Sequence, residues 1–320
     1  MFGNMQEMKI LMIGNQNSGK TTYMASSYGL IKEGKFGFYI CADEDTDFLL
    51  TKLCNSIKSG SYPVPSDKRQ SYEFDLYYYQ QPVLSFEWLD YYGGVISESK
   101  SEQLMTDIDE ADAVMLFIEA DALLRNDKKV TQLRRILYLI GRKLMEIEHF
   151  FNVIIVLTKY DIVGTSTSLE DVCRPLSQFS ESIQGKENVY FRIVPVSCTS
   201  SGFVNVDLPL IDVLHSGVGI KCLGYMAAAK AQYDRALEYN GKRGVVDWAV
   251  SKLFGLQTNG EIADEAAKNM QQQLALFAQI EGPFDKLDEY RKNYEIKIPH
   301  NTTVRQSGEK RTKRSRFGTL

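Results

Sequence analysis

A lysine and the hydroxyl beside it, Lys20 and Thr21, close a glycine-bounded run whose spacing suits phosphate chemistry. Gly14-Asn15-Gln16-Asn17-Ser18-Gly19-Lys20-Thr21 fits G-x-x-x-x-G-K-[ST]. In that pattern the glycines let backbone N–H groups approach phosphate oxygens, the ammonium reaches the β- and γ-phosphates, and the hydroxyl can ligate Mg²⁺. A helix opening at Thr22 would add its positive dipole end. The binding candidates here are Gly14, Asn15, Asn17, Ser18, Gly19, Lys20, Thr21 and Thr22, with Lys20 and Thr21 also carrying catalysis.

Three weaker constellations follow. Asp90-Tyr91-Tyr92-Gly93 offers a carboxylate that can hold Mg²⁺, directly or through water, and a Gly93 N–H that can meet a γ-phosphate. Thr158-Lys159-Tyr160-Asp161 offers a carboxylate able to accept from guanine N1–H and the exocyclic amine, a donor pair that adenine lacks. The aliphatic stem of Lys159 can lie along a base. Val196-Ser197-Cys198 can supply a backbone N–H to guanine O6. Each of the three, taken alone, is equally a surface turn.

The elements around them decide between these readings. Lys9–Ile13 is a short apolar run fit for a buried strand, and Thr22–Ile31 reads as a helix. Lys35–Ala42 alternates as an extra strand, and Asp43–Ile57 reads as a helix. Phe74, Leu76 and Tyr78, then Leu84, Phe86 and Trp88, alternate as a half-buried antiparallel hairpin. Ala113–Ile118 and Val153–Leu157 are buried strands, and Val130–Phe150 is an amphipathic helix. Leu169–Ile183 is a helix interrupted at Pro175. Phe191–Val196 is a strand that Pro195 sends to a sheet edge, and Leu208–Leu214 starts a helix. This succession predicts an α/β fold: a mostly parallel sheet with one antiparallel hairpin strand, helices on both faces, and the phosphate loop at the carboxyl end of the first strand.

All four constellations fall in order, each at the carboxyl end of an expected strand. Over about Lys9–Leu214 the chain thus resembles the P-loop GTPase superfamily, which includes Ras-like and bacterial small G proteins. Gly14–Thr21 resembles its first motif, Asp90–Gly93 its third, Thr158–Asp161 its fourth, and Ser197-Cys198 its fifth. The resemblance implies a P-loop NTPase three-layer sandwich, GTP/GDP and Mg²⁺ as ligands, and Thr158, Lys159, Asp161, Ser197 and Cys198 around guanine. Gly93 would sense the γ-phosphate. Thr21 and Asp90 would serve the metal, with Ser66 as the counterpart of the superfamily's switch I threonine; Thr46, Thr51 and Ser71 are the other candidates there. Leu49–Ile57 followed by Gly60–Ser66 is similar to a helix and loop of the bacterial double-GTPase group. One departure stands out: the water-orienting glutamine of Ras-like proteins is replaced by Gly94. A GTP-binding molecular switch with slow intrinsic hydrolysis, assisted by a partner, is expected. A non-hydrolysing GTP-binding scaffold and an ATP-dependent P-loop kinase are the alternatives.

Composition bounds the rest. The chain has 320 residues and a net charge of −4, too mild to name a partner. Its five cysteines are scattered without C-x-x-C spacing, as in a reduced cytoplasmic protein, and its three histidines lack ligand spacing. No apolar run approaches the roughly 18 residues of a membrane span. The expected organisation is a GTP-binding domain over 1–220, a helical extension over 221–298 built from Lys221–Tyr239, Ala263–Ile280 and a helix started by Pro283, and a basic disordered tail over 299–320. Partners expected are guanine nucleotide, an effector or activating protein, a second copy through the C-terminal helices, and weak acidic-lipid or nucleic-acid contact by the tail.

Overall fold

A computed structural model describes residues 7–64, 69–91, 98–126, 128–183, 185–240 and 257–298. In chain order the elements are β1 (Met8–Gly14), α1 (Lys20–Lys32), β2 (Phe38–Cys41), α2 (Glu44–Lys58), β3 (Gln70–Tyr78), β4 (Gln81–Asp90), α3 (Glu98–Glu110), β5 (Ala113–Glu119), α4 (Ala120–Leu124), α5 (Lys128–Glu146), β6 (Phe151–Thr158), α6 (Leu169–Cys173), α7 (Ser177–Ile183), β7 (Val189–Pro195), β8 (Ser197–Thr199), β9 (Gly202–Val204), α8 (Leu208–Asn240) and α9 (Asn259–Asn293).

Seven strands form one sheet in the order β2-β3-β4-β1-β5-β6-β7, and β8-β9 form a separate hairpin. The β1, β4, β5, β6 and β7 neighbours run parallel, while β3 is antiparallel to both β4 and β2. This is the mostly parallel α/β sheet with one antiparallel hairpin expected from the strand pattern.

Burial explains the strand types. β5 and β6 are almost wholly buried, as strands covered on both faces should be. β3 alternates instead, with Tyr72, Phe74 and Leu76 inward and Glu73 and Asp75 exposed. On one face Tyr23 of α1 packs edge-on against Trp88 and Phe117. The other face is a continuous apolar core that draws Leu104 and Ile108 from α3, Ile136 and Ile140 from α5, and Phe179 from α7. Asp43 caps α2, its carboxylate accepting from the N–H groups of Asp45 and Thr46.

Several sequence expectations are corrected. Pro283 does not start a helix; it lies inside α9. Gly282 precedes it, and a residue without Cβ relieves the Cβ part of the clash that disfavours helical backbone before proline. The two helices expected over Leu208–Leu214 and Lys221–Tyr239 are one continuous α8. Pro175 does break its helix, into α6, a 3₁₀ turn at Arg174–Leu176, and α7. α3 and the β8-β9 hairpin were not foreseen. Two compact units are distinguished, Met1–Leu214 with Tyr290–Leu320 and His215–Glu289. The last described residues, 290–298, thus belong with the first unit.

Edge strand β7 is fastened by an ion pair. Arg192 Nη1 lies 3.0 and 2.9 Å from the two oxygens of Asp212, with side chains 10% and 0% exposed. Burial pushes the Asp212 carboxyl up to about 6, against the opposing pull of Arg192 and Arg291. A carboxyl raised above its unfolded value takes up protons on folding, so its ionisation costs stability as pH rises through 4–6. Arg192→Met removes the nearest counter-charge. It is expected to lower unfolding free energy by about 3–5 kcal/mol at pH 7.5 and by clearly less at pH 5, where Asp212 binds a proton. Urea denaturation at both pH values checks this.

Candidate nucleotide site

Parallel register brings the carboxyl ends of four strands to one rim of the sheet: Gly14 pairs with Phe117, Glu119 with Thr158, and Leu157 with Pro195. Ligands of open α/β sheets sit outside such an edge. Here the rim opens on a cleft of ≈ 590 Å³, lined by Gln16–Thr22, Thr158, Lys159, Asp161, Val196, Cys198, Tyr62–Val64 of the Gly60–Ser66 loop and, unforeseen from sequence, Ile162 and Thr199.

The loop between β1 and α1 is shaped by its glycines. A Cβ on Gly14 would lie 2.6 Å from Ser18 Oγ and 2.7 Å from the Phe117 carbonyl oxygen. Asn17 and Gly19 are left-handed, with φ of 65° and 88°. Backbone turned this way forms a concave, anion-binding array of N–H groups at the start of α1. Gly14→Ala should therefore leave the sheet intact but displace the loop. Overpacking of this kind costs about 1–3 kcal/mol, so nucleotide affinity should fall about ten- to a hundredfold; a fluorescent-nucleotide titration checks it, with circular dichroism confirming the fold.

Lys20 is buried, and its Nζ donates to the Gly14 carbonyl at 3.2 Å. Asp90 Oδ1 lies 4.0 Å from it. Burial lowers the Lys20 ammonium and raises the Asp90 carboxyl to about 6, each opposed by the other's charge. In both, desolvation outweighs the pairing because 4.0 Å is long for an ion pair. Asp90 Oδ1 has no hydrogen-bond partner among the described residues. A buried carboxylate oxygen without a donor, beside a cleft that Thr21 lines, is the chemistry a hard divalent cation satisfies. The site thus fits Mg²⁺ at Thr21 and Asp90. Ser66 and Gly93, the other two residues expected near the γ-phosphate, lie outside the described residues, as does Gly94.

The fourth constellation grips the first. Thr158 Oγ1 donates to the Ser18 carbonyl at 2.7 Å, and Lys159 Nζ donates to the Asn17 carbonyl at 2.8 Å. Glu119 holds the same ammonium at 3.4 Å. Lys159 is itself left-handed, with φ of 53°. This lysine therefore serves the loop with its head while its stem borders the cleft.

Asp161 is oriented by the fifth constellation. Ser197 Oγ donates to its Oδ1 at 2.7 Å, and the Tyr160 N–H donates to the Val196 carbonyl at 3.2 Å. One carboxylate oxygen is so fixed. Ser197 itself is buried behind Asp161 and does not line the cleft, whereas Cys198 does. Burial pushes the Cys198 thiol up to about 12, which keeps it protonated at neutral pH. Gly14 and Asn15 also stay off the cleft wall, as the turn beneath it. Tyr62 and Val64 are exposed apolar groups that cover the opposite side. They belong to the Gly60–Ser66 loop, which the sequence offers through its resemblance to a loop of the double-GTPase group.

Among the described residues no helix is long and apolar enough to cross a membrane, and no cluster of three metal-binding side chains occurs.

No protein-family model matches the chain, and no curated protein matches it. Solved structures with a similar chain course include the bacterial selenocysteine-specific elongation factor EF-Sec, 18% identical with a TM-score of 0.37 over 66% of this chain and 29% of that one. A second is the signal recognition particle receptor SRb-GTP/SRX complex from Chaetomium thermophilum, 15% identical with a TM-score of 0.39 over 62% of this chain and 94% of that one. A third is the S. cerevisiae Ski7 GTPase-like domain bound to GTP, 16% identical with a TM-score of 0.40 over 60% of this chain and 42% of that one. The chain spans less than half the length of the EF-Sec and Ski7 chains.

Proposed function

We propose that this chain is a GTP-binding, Mg²⁺-dependent switch protein with slow intrinsic hydrolysis that a partner assists. The observation that carries the reading is the convergence of three sequence-distant segments, 16–22, 158–161 and 196–199, on one cleft. The first is built for phosphates. The second and third present one oriented carboxylate, Asp161, at the far end. Lys20 would stabilise charge on the β- and γ-phosphates, Thr21 and Asp90 would hold the metal, and Lys159 and Asp161 would border and select guanine. Bound Mg²⁺ would neutralise phosphate charge; the protein's own contribution is positioning and electrostatics. Gly93 as γ-phosphate sensor and Ser66 as switch I hydroxyl remain part of this proposal, as does kinship with the bacterial double-GTPase group. We place the binding function within residues 1–220, with 221–298 as a helical C-terminal extension whose last residues, 290–298, group with the first unit.

The base of the nucleotide retained on purified protein tests the reading. Guanine is expected, with GTP bound in preference to ATP. Retention of adenine, or equal binding of both, overturns it in favour of the kinase alternative. A second reading is favoured by Gly94, which puts no side chain where an attacking water needs orienting. Phosphate release, alone and with cell extract, separates the two: none under either condition makes the chain a GTP-binding scaffold.

A further inference from the structure

The hairpin after β7 carries Ser197 and Cys198, and a buried asparagine closes it. Asn205, left-handed with φ of 55°, follows β9 and donates from Nδ2 to the Pro195 carbonyl at 2.7 Å. That bond draws together the two ends of the loop 195–205. The same side chain reaches the far end of the described chain. Its Nδ2 also donates to the Lys297 carbonyl at 2.5 Å, and its Oδ1 accepts from the Lys297 N–H at 3.1 Å. Two residues on, buried Asp207 accepts from Lys35 Nζ, from Tyr290 Oη, and from Tyr294 Oη at 3.1 Å. Burial opposes its ionisation, but these donors hold the carboxyl below its usual range, so it is a carboxylate. Tyr290 further packs its ring against Phe36, with centroids 4.8 Å apart.

This geometry is unusual in what it joins. Residues 290–298 reach the loop 195–205 through Asn205. They bond to the asparagine that closes the loop whose Ser197 orients Asp161 and whose Val196 carbonyl holds the Tyr160 N–H. We propose that Asn205 is a positioning residue for base recognition and that 290–298 is a strap that holds it in place, so that loosening the strap speeds release of guanine nucleotide without touching the phosphate cradle. The proposal rests on the GTP-binding reading. Buried amides and carboxylates tolerate lost partners poorly. With the strap displaced, Asn205 Oδ1 loses the Lys297 N–H and Asp207 loses both tyrosine hydroxyls, keeping Lys35 and its own backbone N–H, so the loop 195–205 loses its rigid foot.

Full-length chain carrying Asn205→Ala, and separately Tyr290→Phe with Tyr294→Phe, tests this by two readouts. The first is the dissociation rate of a fluorescent GDP analogue. The second is affinity for inorganic tripolyphosphate, which meets only the 14–22 loop. Both variants should release the GDP analogue about tenfold faster, the effect of about one lost hydrogen bond to a charged or buried group, with tripolyphosphate affinity unchanged. The double tyrosine variant leaves the backbone pairing of Asn205 available and keeps the test valid if Asn205→Ala fails to fold. Unchanged GDP release in a folded variant, or equal loss of GDP and tripolyphosphate binding, overturns the proposal. Wild-type chain that does not prefer GDP over ADP overturns the GTP-binding reading instead, and the two failures are distinct.

Discussion

Asp161→Asn is expected to reduce the preference for GTP over ATP by a large factor, on the order of 10⁴. The size of the effect comes from reversed polarity. An Asp carboxylate offers only acceptors, which suits the two adjacent donors of guanine, N1–H and the exocyclic amine. Asparagine can keep its carbonyl toward Ser197 Oγ, which donates to Oδ1 at 2.7 Å in the present structure. Its NH₂ then occupies the position of the second carboxylate oxygen and meets guanine's own donors. Two desolvated donors face each other, and neither is satisfied. Adenine gains nothing and loses nothing, so the ratio collapses through GTP alone. Xanthine carries a carbonyl where guanine carries the amine and so can accept from the new NH₂. XTP affinity should rise as GTP affinity falls. Competitive titration of GTP, ATP and XTP against a fluorescent nucleotide measures all three. An unchanged GTP/ATP ratio would mean that 158–161 does not read the base.

What could be read from the sequence follows from how local each determinant is. The position of 14–21, a turn between β1 and α1 beside the cleft, was legible because the motif sets residue types within eight consecutive positions, and the strand and helix on either side carry their own apolar patterns. Asp161 was legible for a related reason, since β6 before it is an uninterrupted apolar run. Ser197 was also expected just after the last strand of the sheet, but its bond to Asp161 was not foreseen. Its hydroxyl turns out to orient Asp161, a contact spanning 36 positions that no local pattern encodes. The same limit hid Asn205 and Asp207, whose partners are 92 and 83 residues away. Tyr62–Val64 were legible only as part of the Gly60–Ser66 loop, with no residue of the three singled out. Their exposure in the cleft depends on where α2 delivers the chain, which tertiary packing decides. Pro283 misled because proline normally bars helix interior; the glycine before it was the signal that this one need not.

Lys20→Met carries the other large effect, and it separates binding from folding. The Lys20 ammonium is buried with one carbonyl at 3.2 Å and one carboxylate oxygen at 4.0 Å. Three donors with so few close acceptors leave it under-satisfied, which is why burial pulls its proton affinity down. Methionine matches much of its volume and removes the desolvation cost, so the ligand-free chain should lose little stability from the lysine itself. It does strip Asp90 of the one charge that opposes its burial, and that carboxyl should climb further from about 6. Phosphate binding behaves differently. A β/γ-phosphate supplies the acceptors this ammonium lacks, and loss of such a buried charge contact costs about 2–5 kcal/mol. Triphosphate affinity should therefore fall by about 10²–10³, while affinity for guanosine, which has no phosphate, stays within about twofold by the same scale. Lys20→Arg should not rescue, because a planar guanidinium cannot occupy the space of a point charge under the loop. Calorimetric titration with GTP and with guanosine, alongside thermal melts of each variant, resolves the two effects. Equal losses for nucleotide and nucleoside would place Lys20 in the fold and not on the phosphates.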